Sequence, residues 1–163
     1  MVINTKRFQL KTLTVDDATE EYLSWFSSSK EVGEYIAYAK KNADINKLRR
    51  YVEEREDRED VLFLGIFTDS GQHIGNIKYE PINLKNKSAT MGILIGDKEW
   101  RGKGVAIEVI ENSSKYLKEN YKIKYIDLGV NKDNIAAVSA YKKMKFKIVK
   151  KADHSFIMRL NIE

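Results

Sequence analysis

Two rhythms of apolar residues run along this chain. The period-two or continuous rhythm of strands is clearest at residues 61–67, Val61-Leu62-Phe63-Leu64-Gly65-Ile66-Phe67, a short apolar run closed by the turn residues Asp69-Ser70-Gly71. Residues 72–81 and 88–95 read as the next two strands, separated by the polar turn 83–87. Three strands joined by loops this short predict an antiparallel meander. Ahead of them, residues 5–13 read as a first strand. Thr14 with Asp17 three positions on forms a capping-box pattern before a helix whose face is Ala18, Tyr22 and Trp25. Residues 27–40 suggest a short helical piece and a loop. Asp44 reads as the cap of a second helix with the stripe Ile45, Leu48 and Val52, running into a charged stretch at 53–60 expected to be exposed.

Helical spacing resumes after Gly104, with Ala106, Ile110, Ser113 and Leu117 at intervals of four, three and four. Residues 124–130 then read as strand, 133–144 as helix, and 146–149 and 154–160 as two closing strands. The pattern predicts one mixed α/β (α+β) domain over residues 1–163, with about seven strands and about four helices and neither linker nor internal repeat.

Composition narrows the class. With 42% hydrophobic residues, 33% charged residues and a single proline in 163, the chain can bury a core and solvate its surface. The absence of cysteine excludes thiolate catalysis, disulfides and cysteine-ligated metal. No His and carboxylate spacing on one short element suggests a metal site, so none is expected. No apolar run approaches the ~20 residues of a membrane span, and no apolar signal core follows Met1, so a cytoplasmic protein without a membrane partner is expected. The net charge of +5 is uneven: 14 Lys/Arg face 7 Asp/Glu from Arg101 onward. A basic C-terminal part suits a polyanionic partner, either nucleic acid or a phosphorylated cofactor.

Trp100-Arg101-Gly102-Lys103-Gly104-Val105-Ala106 stands between an apolar strand and an amphipathic helix. Glycines admit backbone geometries other residues resist, and the first helical turn adds unpaired N–H groups at the positive end of its dipole. Arg101 and Lys103 add charge. The stretch reads as a pyrophosphate cradle, though it is neither a dinucleotide-binding glycine fingerprint nor a Walker sequence.

The chain resembles the GNAT superfamily of N-acetyltransferases, and within it the branch that includes the ribosomal-protein N-terminal acetyltransferases. The family's Gln/Arg-x-x-Gly-x-Gly/Ala signature is matched by Arg101, Gly104 and Ala106, with Gly102 as an extra glycine. A second signature, Asn-x-x-Asn-x-x-Ala-x-x-x-Tyr-x-Lys-x-Gly-Phe, is matched by Asn131, Asn134, Ala137, Tyr141, Lys143 and Phe146.

The resemblance implies a single acyl-CoA N-acyltransferase domain built on a central, mostly antiparallel twisted sheet, with acetyl-CoA as cofactor. It implies that the coenzyme is held by Ile93, Leu94, Ile95, Arg101, Gly102, Lys103, Gly104, Val105, Ala106, Asn131, Asn134 and Tyr141. Amides near Ile93 and Leu94 would stabilise the oxyanion, and Tyr141 would protonate the leaving thiolate. The family's late strands often meet across a dimer, so a homodimer is a possible partner arrangement.

Two departures stand out. Lys145 replaces the usual glycine before Phe146, and Thr90 occupies a position where many relatives carry a glutamate base. The base is therefore open. His73, with an ordinary pKa near 6.5, is one candidate, and Glu80 and His154 are others.

Trp25, Tyr35, Tyr38 and Tyr79 are the large amphipathic residues expected at the acceptor site. The pattern Tyr22-Leu23-Ser24-Trp25, with 73–78 and 81–83, resembles relatives that acetylate amino sugars on nucleotide carriers. The expected activity is acetyl transfer to such a primary amine. A protein N-terminus, a polyamine or an aminoglycoside is an alternative acceptor, and a non-catalytic acyl-CoA sensor is an alternative function. An RNA-binding module fits less well, because basic residues are not interleaved with an aromatic platform, and no nucleic-acid partner is expected.

Overall fold

The structure is a computed structural model and describes residues 1–26 and 44–163; Tyr35, Tyr38 and the pattern at 27–40 lie outside the described residues. In chain order the strands are β1 (Val2–Asn4), β2 (Phe8–Thr12), β3 (Leu62–Thr68), β4 (His73–Asn83), β5 (Ser88–Ile95), β6 (Tyr125–Asn131), β7 (Lys147–Lys151) and β8 (Ser155–Asn161). The helices are α1 (Glu20–Ser24), α2 (Ile45–Glu53), α3 (Val105–Tyr121) and α4 (Ile135–Lys143). One sheet holds all eight strands in the order β1-β2-β3-β4-β5-β6-β8-β7. Every neighbouring pair is antiparallel except β5 with β6.

The count exceeds the seven strands expected because residues 2–4 form a strand of their own ahead of the one expected at 5–13, which is confined to 8–12. The Thr5 N–H donates to the Phe8 carbonyl at 2.8 Å and the Phe8 N–H to the Thr5 hydroxyl at 2.9 Å, which folds 2–12 into a hairpin. The cap at Thr14 does form, its N–H donating to Asp17 at 2.8 Å, but it opens only the 3-10 turn Val15–Asp17. The α-helix starts after Thr19, whose hydroxyl accepts from the Tyr22 N–H at 3.2 Å. Asp44 caps α2 as expected, and Leu48 and Val52 are its buried positions.

Sheet pleating separates two apolar layers. One face puts Leu64, Ile77, Tyr79 and Met91 against Val109, Ile110 and Leu117 of α3. The other puts Phe63, Phe67 and Leu94 under Tyr22, Trp25 and the α2 residues Leu48 and Val52. β3 is buried along its length, as its unbroken apolar run requires. Among the described residues, no helix is long and apolar enough to cross a membrane.

Candidate active site

The site is created where the sheet stops being continuous. β5 pairs with β6 only from Ser88↔Tyr125 to Thr90↔Asp127. Beyond Thr90 the two strands part while β5 stays paired with β4 as far as Gly75↔Ile95. The parting leaves a cleft of about 560 Å³ whose walls include Thr90, Met91, Gly92 and Ile93 on one side and Leu128, Gly129, Val130 and Asn131 on the other. That size suits a small-molecule site.

The ladder fixes which amides face this cleft. Gly96 N–H donates to the Ile74 carbonyl at 2.9 Å. In an antiparallel pair, hydrogen-bonded residues alternate, so Leu94 and Gly92 also turn their N–H groups toward β4. Met91, Ile93 and Ile95 turn theirs toward the gap. The Ile95 carbonyl, which accepts from Arg101 Nε at 3.0 Å, confirms this orientation. The amide of Leu94 is consequently spent in the ladder, a correction to its expected oxyanion role, and its side chain is buried under α1. The Ile93 N–H stays turned to the gap.

At the C-terminal end of β5 the chain makes the turn Lys98–Trp100 and enters the glycine loop. Gly102 and Gly104 adopt φ of 72° and 74°, left-handed values that a side chain resists. Gly104 is the N-cap of α3, a helix of 17 residues, so unpaired amides and the positive dipole end lie at the loop. Gly102, Lys103 and Gly104 are exposed at this turn, Arg101 and Ala106 are half-buried, and Val105 is buried as the first residue of α3. Glu108, one turn into α3, binds the Arg7 Nε at 2.9 Å and the Thr5 hydroxyl at 2.6 Å, tying the N-terminal hairpin to this helix.

Asn131, Asn134, Ala137 and Tyr141 line the opposite wall of the cleft. Asn134 caps α4, its carbonyl oxygen accepting from Ala137 N–H at 3.2 Å. Tyr141 is set by the other end of that helix. Phe146 N–H donates to the Tyr141 carbonyl at 3.0 Å and Lys145 N–H to the Lys142 carbonyl at 3.0 Å, the two bonds of a Schellman motif. The rings of Tyr141 and Phe146 meet edge to face at 5.5 Å. The motif needs a left-handed residue, and Lys145 supplies it at φ 79°, which explains why a glycine would be expected there. Burial pushes the Tyr141 phenol above its ordinary pKa.

Three expected site residues belong elsewhere. Tyr79 is fully buried and its hydroxyl pairs with that of Ser113 at 2.7 Å, so it packs the core beneath α3 rather than touching an acceptor. Trp25 is 5% exposed and lies so close on Gly96 that a Cβ there would come within 2.0 Å of its indole. Helical spacing alone could not separate a core face from a binding face. His73 stacks on Phe67 at 4.7 Å, meets Trp25 at 4.9 Å and bonds Asn76 at 2.6 Å. It stands five residues along β4 from Lys78, away from the cleft, and burial holds its pKa below the usual value.

Sequence reasoning gave Glu80 and His154 as candidate bases but missed the arginines that gather around Glu80 on the α2 face. Lys78 and Glu80 line the cleft beside Thr90, and His154 closes its far edge. Glu80 binds Arg55 Nε at 2.8 Å, Arg58 at 3.3 Å and Lys78 at 3.4 Å. Burial pushes the Glu80 carboxyl up, but Lys78 and Arg55 outweigh it and hold the group below its ordinary value. The run 53–60 read as solvated charge; that Arg55 and Arg58 reach β4 depends on where α2 lands. Among the described residues there is no group of three or more His, Asp or Glu side chains fit to hold a metal.

A family model described as an acetyltransferase (GNAT) domain matches residues 7–147. The chain belongs to the GNAT acetyltransferase family. An N-alpha-acetyltransferase of Saccharolobus solfataricus is 37% identical over 75 residues, 46% of this chain. The match spans 44% of that relative's length. A spermidine N-acetyltransferase chimera from Vibrio cholerae and hSSAT superposes with a TM-score of 0.80 at 18% identity, covering 94% of this chain and 95% of that one. The PaiA N-acetyltransferase of Thermoplasma acidophilum, solved with coenzyme A, gives 0.72 at 23% identity over 94% and 98% of the two chains. Both share the fold. GNAT domains use acetyl-CoA, and this one fits it: an open strand edge with outward amides leads to a glycine turn at a helix N-terminus.

Proposed function

We propose that this GNAT domain is an N-acetyltransferase that moves the acetyl group of acetyl-CoA directly to a primary amine. The observation that carries the reading is the parting of β5 from β6 after Thr90, which presents the Ile93 amide and the Tyr141 phenol to one cleft.

Acetyl-CoA supplies an acyl group activated as a thioester. The glycine turn 101–106 would hold the pyrophosphate through backbone N–H groups, and the outward amides of Met91 and Ile95 would hold the pantetheine arm. Asn131 and Asn134 bound the same wall. Ile93 N–H is the donor aimed where negative charge develops on the acyl oxygen; such a preset donor contributes about 3–4 kcal/mol. Tyr141 keeps its proton at neutral pH and delivers it from Oη to the departing sulfur. The amine approaches from the α2 face, past Lys78, Glu80 and Thr90. Thr90 takes no proton at neutral pH, so the amine reaches the cleft neutral or gives its proton to water.

The acceptor can be read more finely as an amino sugar on a nucleotide carrier. Of the residues behind that reading, Lys78 lines the cleft, whereas Tyr22 and Trp25 are interior; its support is now the charge at Lys78. A protein N-terminus is the acceptor class of the Saccharolobus relative. Thr90 favours a second reading, a domain that binds acyl-CoA without turnover.

One assay separates these. The purified chain is incubated with acetyl-CoA and nucleotide-linked amino sugars, peptides with free N-termini, polyamines and aminoglycosides, with thiol release and product mass followed. An acetylated product supports the enzyme and names its acceptor. Tight acetyl-CoA binding with no product from any amine supports the second reading, and no binding refutes both.

A further inference from the structure

The β5–β6 ladder ends at Thr90↔Asp127, and two residues further along each strand stand Gly92 and Gly129, both lining the cleft. Side chains alternate between the faces of a strand. Leu128 and Val130 belong to the apolar layer of α3, so Gly129 between them belongs to the α2 face. Gly92, two residues before Leu94 of the layer under α1 and α2, belongs to the same face. Where the strands part, neither one puts a side chain over the α2 side of the gap at this level.

A glycine inside a strand has three ordinary structural causes: a clash that a Cβ would make, a left-handed φ, or a bulge. Gly75 on β4 shows the first, since a Cβ there would come within 2.3 Å of the Leu94 carbonyl oxygen. Gly129 shows none of them. A Cβ on it would meet Ile157 Cδ1 at 3.8 Å, an ordinary van der Waals contact. Left-handed φ among the described glycines is confined to Gly71, Gly102 and Gly104. The β6–β8 register runs unbroken from Tyr125↔Asn161 to Asn131↔Ser155. Glycine weakens a strand interior, and the cause that remains is the close approach of a ligand to the backbone.

We propose that Gly129 is a specificity-determining residue that keeps clear the space taken by substituents on the carbon bearing the acceptor's amine. The acceptor class is then an amine on a branched carbon, an α-amino group or a ring amine, rather than the end of a linear methylene chain. The proposal rests on the N-acetyltransferase reading, in which the amine enters from the α2 face. A terminal –CH2–NH2 group needs a channel one methylene wide and passes a side chain at 129. A branched carbon brings a second substituent against the β6 backbone, beside Ile157, as its nitrogen reaches the level of the Ile93 amide.

The test uses two isomers as acceptors: L-alaninamide, with its amine on a branched carbon, and β-alaninamide, with its amine at the end of a chain. Expressed per neutral amine, the wild type should acetylate L-alaninamide with the higher kcat/KM. Gly129→Val should lower kcat/KM for L-alaninamide by about tenfold or more beyond its effect on β-alaninamide, the scale of one misplaced methyl group in a pocket. Gly129→Ala should show the same bias more weakly. Calorimetry should give both variants the wild-type Kd for coenzyme A, and Tm should hold or rise, because a Cβ fits and valine favours strands. A wild-type preference for β-alaninamide, equal losses for the two isomers, a weakened coenzyme Kd or a Tm lower by several degrees in both variants overturns the proposal.

A second arm needs no turnover. The chain has no cysteine, so a Gly129→Cys variant carries a single thiol, whose reaction with N-ethylmaleimide is timed with and without desulfo-coenzyme A. An unchanged rate supports acceptor space at this position. A rate slowed by desulfo-coenzyme A assigns the space to the pantetheine arm and overturns the proposal. An unchanged rate with no acetyl transfer from the wild type to any amine would refute the transferase reading and leave the clearance at Gly129 standing.

Discussion

Replacing Tyr141 by Phe removes one oxygen from the cleft and little else. The Tyr141 carbonyl still receives the Phe146 N–H, and the edge-to-face ring contact at 5.5 Å is retained. Among the described residues the phenolic oxygen makes no hydrogen bond that the change would break. Folding stability should therefore change by no more than about 0.5 kcal/mol, or ~2 °C in Tm for a chain of this size. Catalysis should suffer far more. A positioned general acid contributes about 10²–10⁴ in rate, equivalent to ~3–5 kcal/mol of barrier.

Burial adds a pH signature to the same residue. Because the folded phenol sits above its ordinary pKa, it stays protonated through neutral and mildly alkaline pH. Loss of the acid should not limit the wild-type rate until the pH exceeds about 10. The assay is the single-turnover rate of thiol release at saturating amine between pH 7 and 10, which reports chemistry rather than product release. Thermal melts of both proteins accompany it. A Phe variant with the wild-type single-turnover rate and an unchanged Tm would refute the acid role. A Tm lower by several degrees would instead show that the oxygen has a structural partner.

Four further outcomes are expected. Gly104→Ala should strain the left-handed N-cap of α3 by about 1–2 kcal/mol and raise KM for acetyl-CoA more than it lowers kcat, measured by initial rates. Tyr79→Phe should cost about 1 kcal/mol through the lost Ser113 bond, lowering Tm while leaving the acceptor KM unchanged; a KM effect would return Tyr79 to the acceptor site. His73 is held neutral by burial, its folded pKa below the unfolded 6.5, so the unfolded chain binds the proton first and stability should fall as pH drops below about 6.5. Denaturant melts from pH 7 to 5 should show that fall in the wild type and a weaker one in His73→Gln. Lys145→Gly should relieve the left-handed strain after α4 and raise stability by about 1 kcal/mol, read as a higher denaturant midpoint.

Much of this domain is local in origin and so was legible in its residues. The apolar run 61–67 could only be an interior strand. The cap at Asp44 and the stripe Leu48–Val52 encode α2 within ten residues, and the Gly102–Gly104 turn before α3 encodes a left-handed helix start without reference to distant parts. Asn134, Tyr141 and Phe146 fall on one short helix and its exit, where spacing alone sets their relation.

What escaped the sequence depends on which surfaces meet. Tyr22, Trp25 and Tyr79 have the same amphipathic chemistry whether they face a ligand or a core, and only the packing of α1 and α3 on opposite faces of the sheet made them interior. The loss of Leu94 as an oxyanion donor follows from the register of β5 on β4, which no local pattern specifies. The Arg55–Glu80–Lys78 group joins residues 25 positions apart, and it exists because the fold brings onto β4 an arginine that, read along the chain, looked like solvated surface. Periodicity records what a segment can bury. The sheet order decides what it does bury.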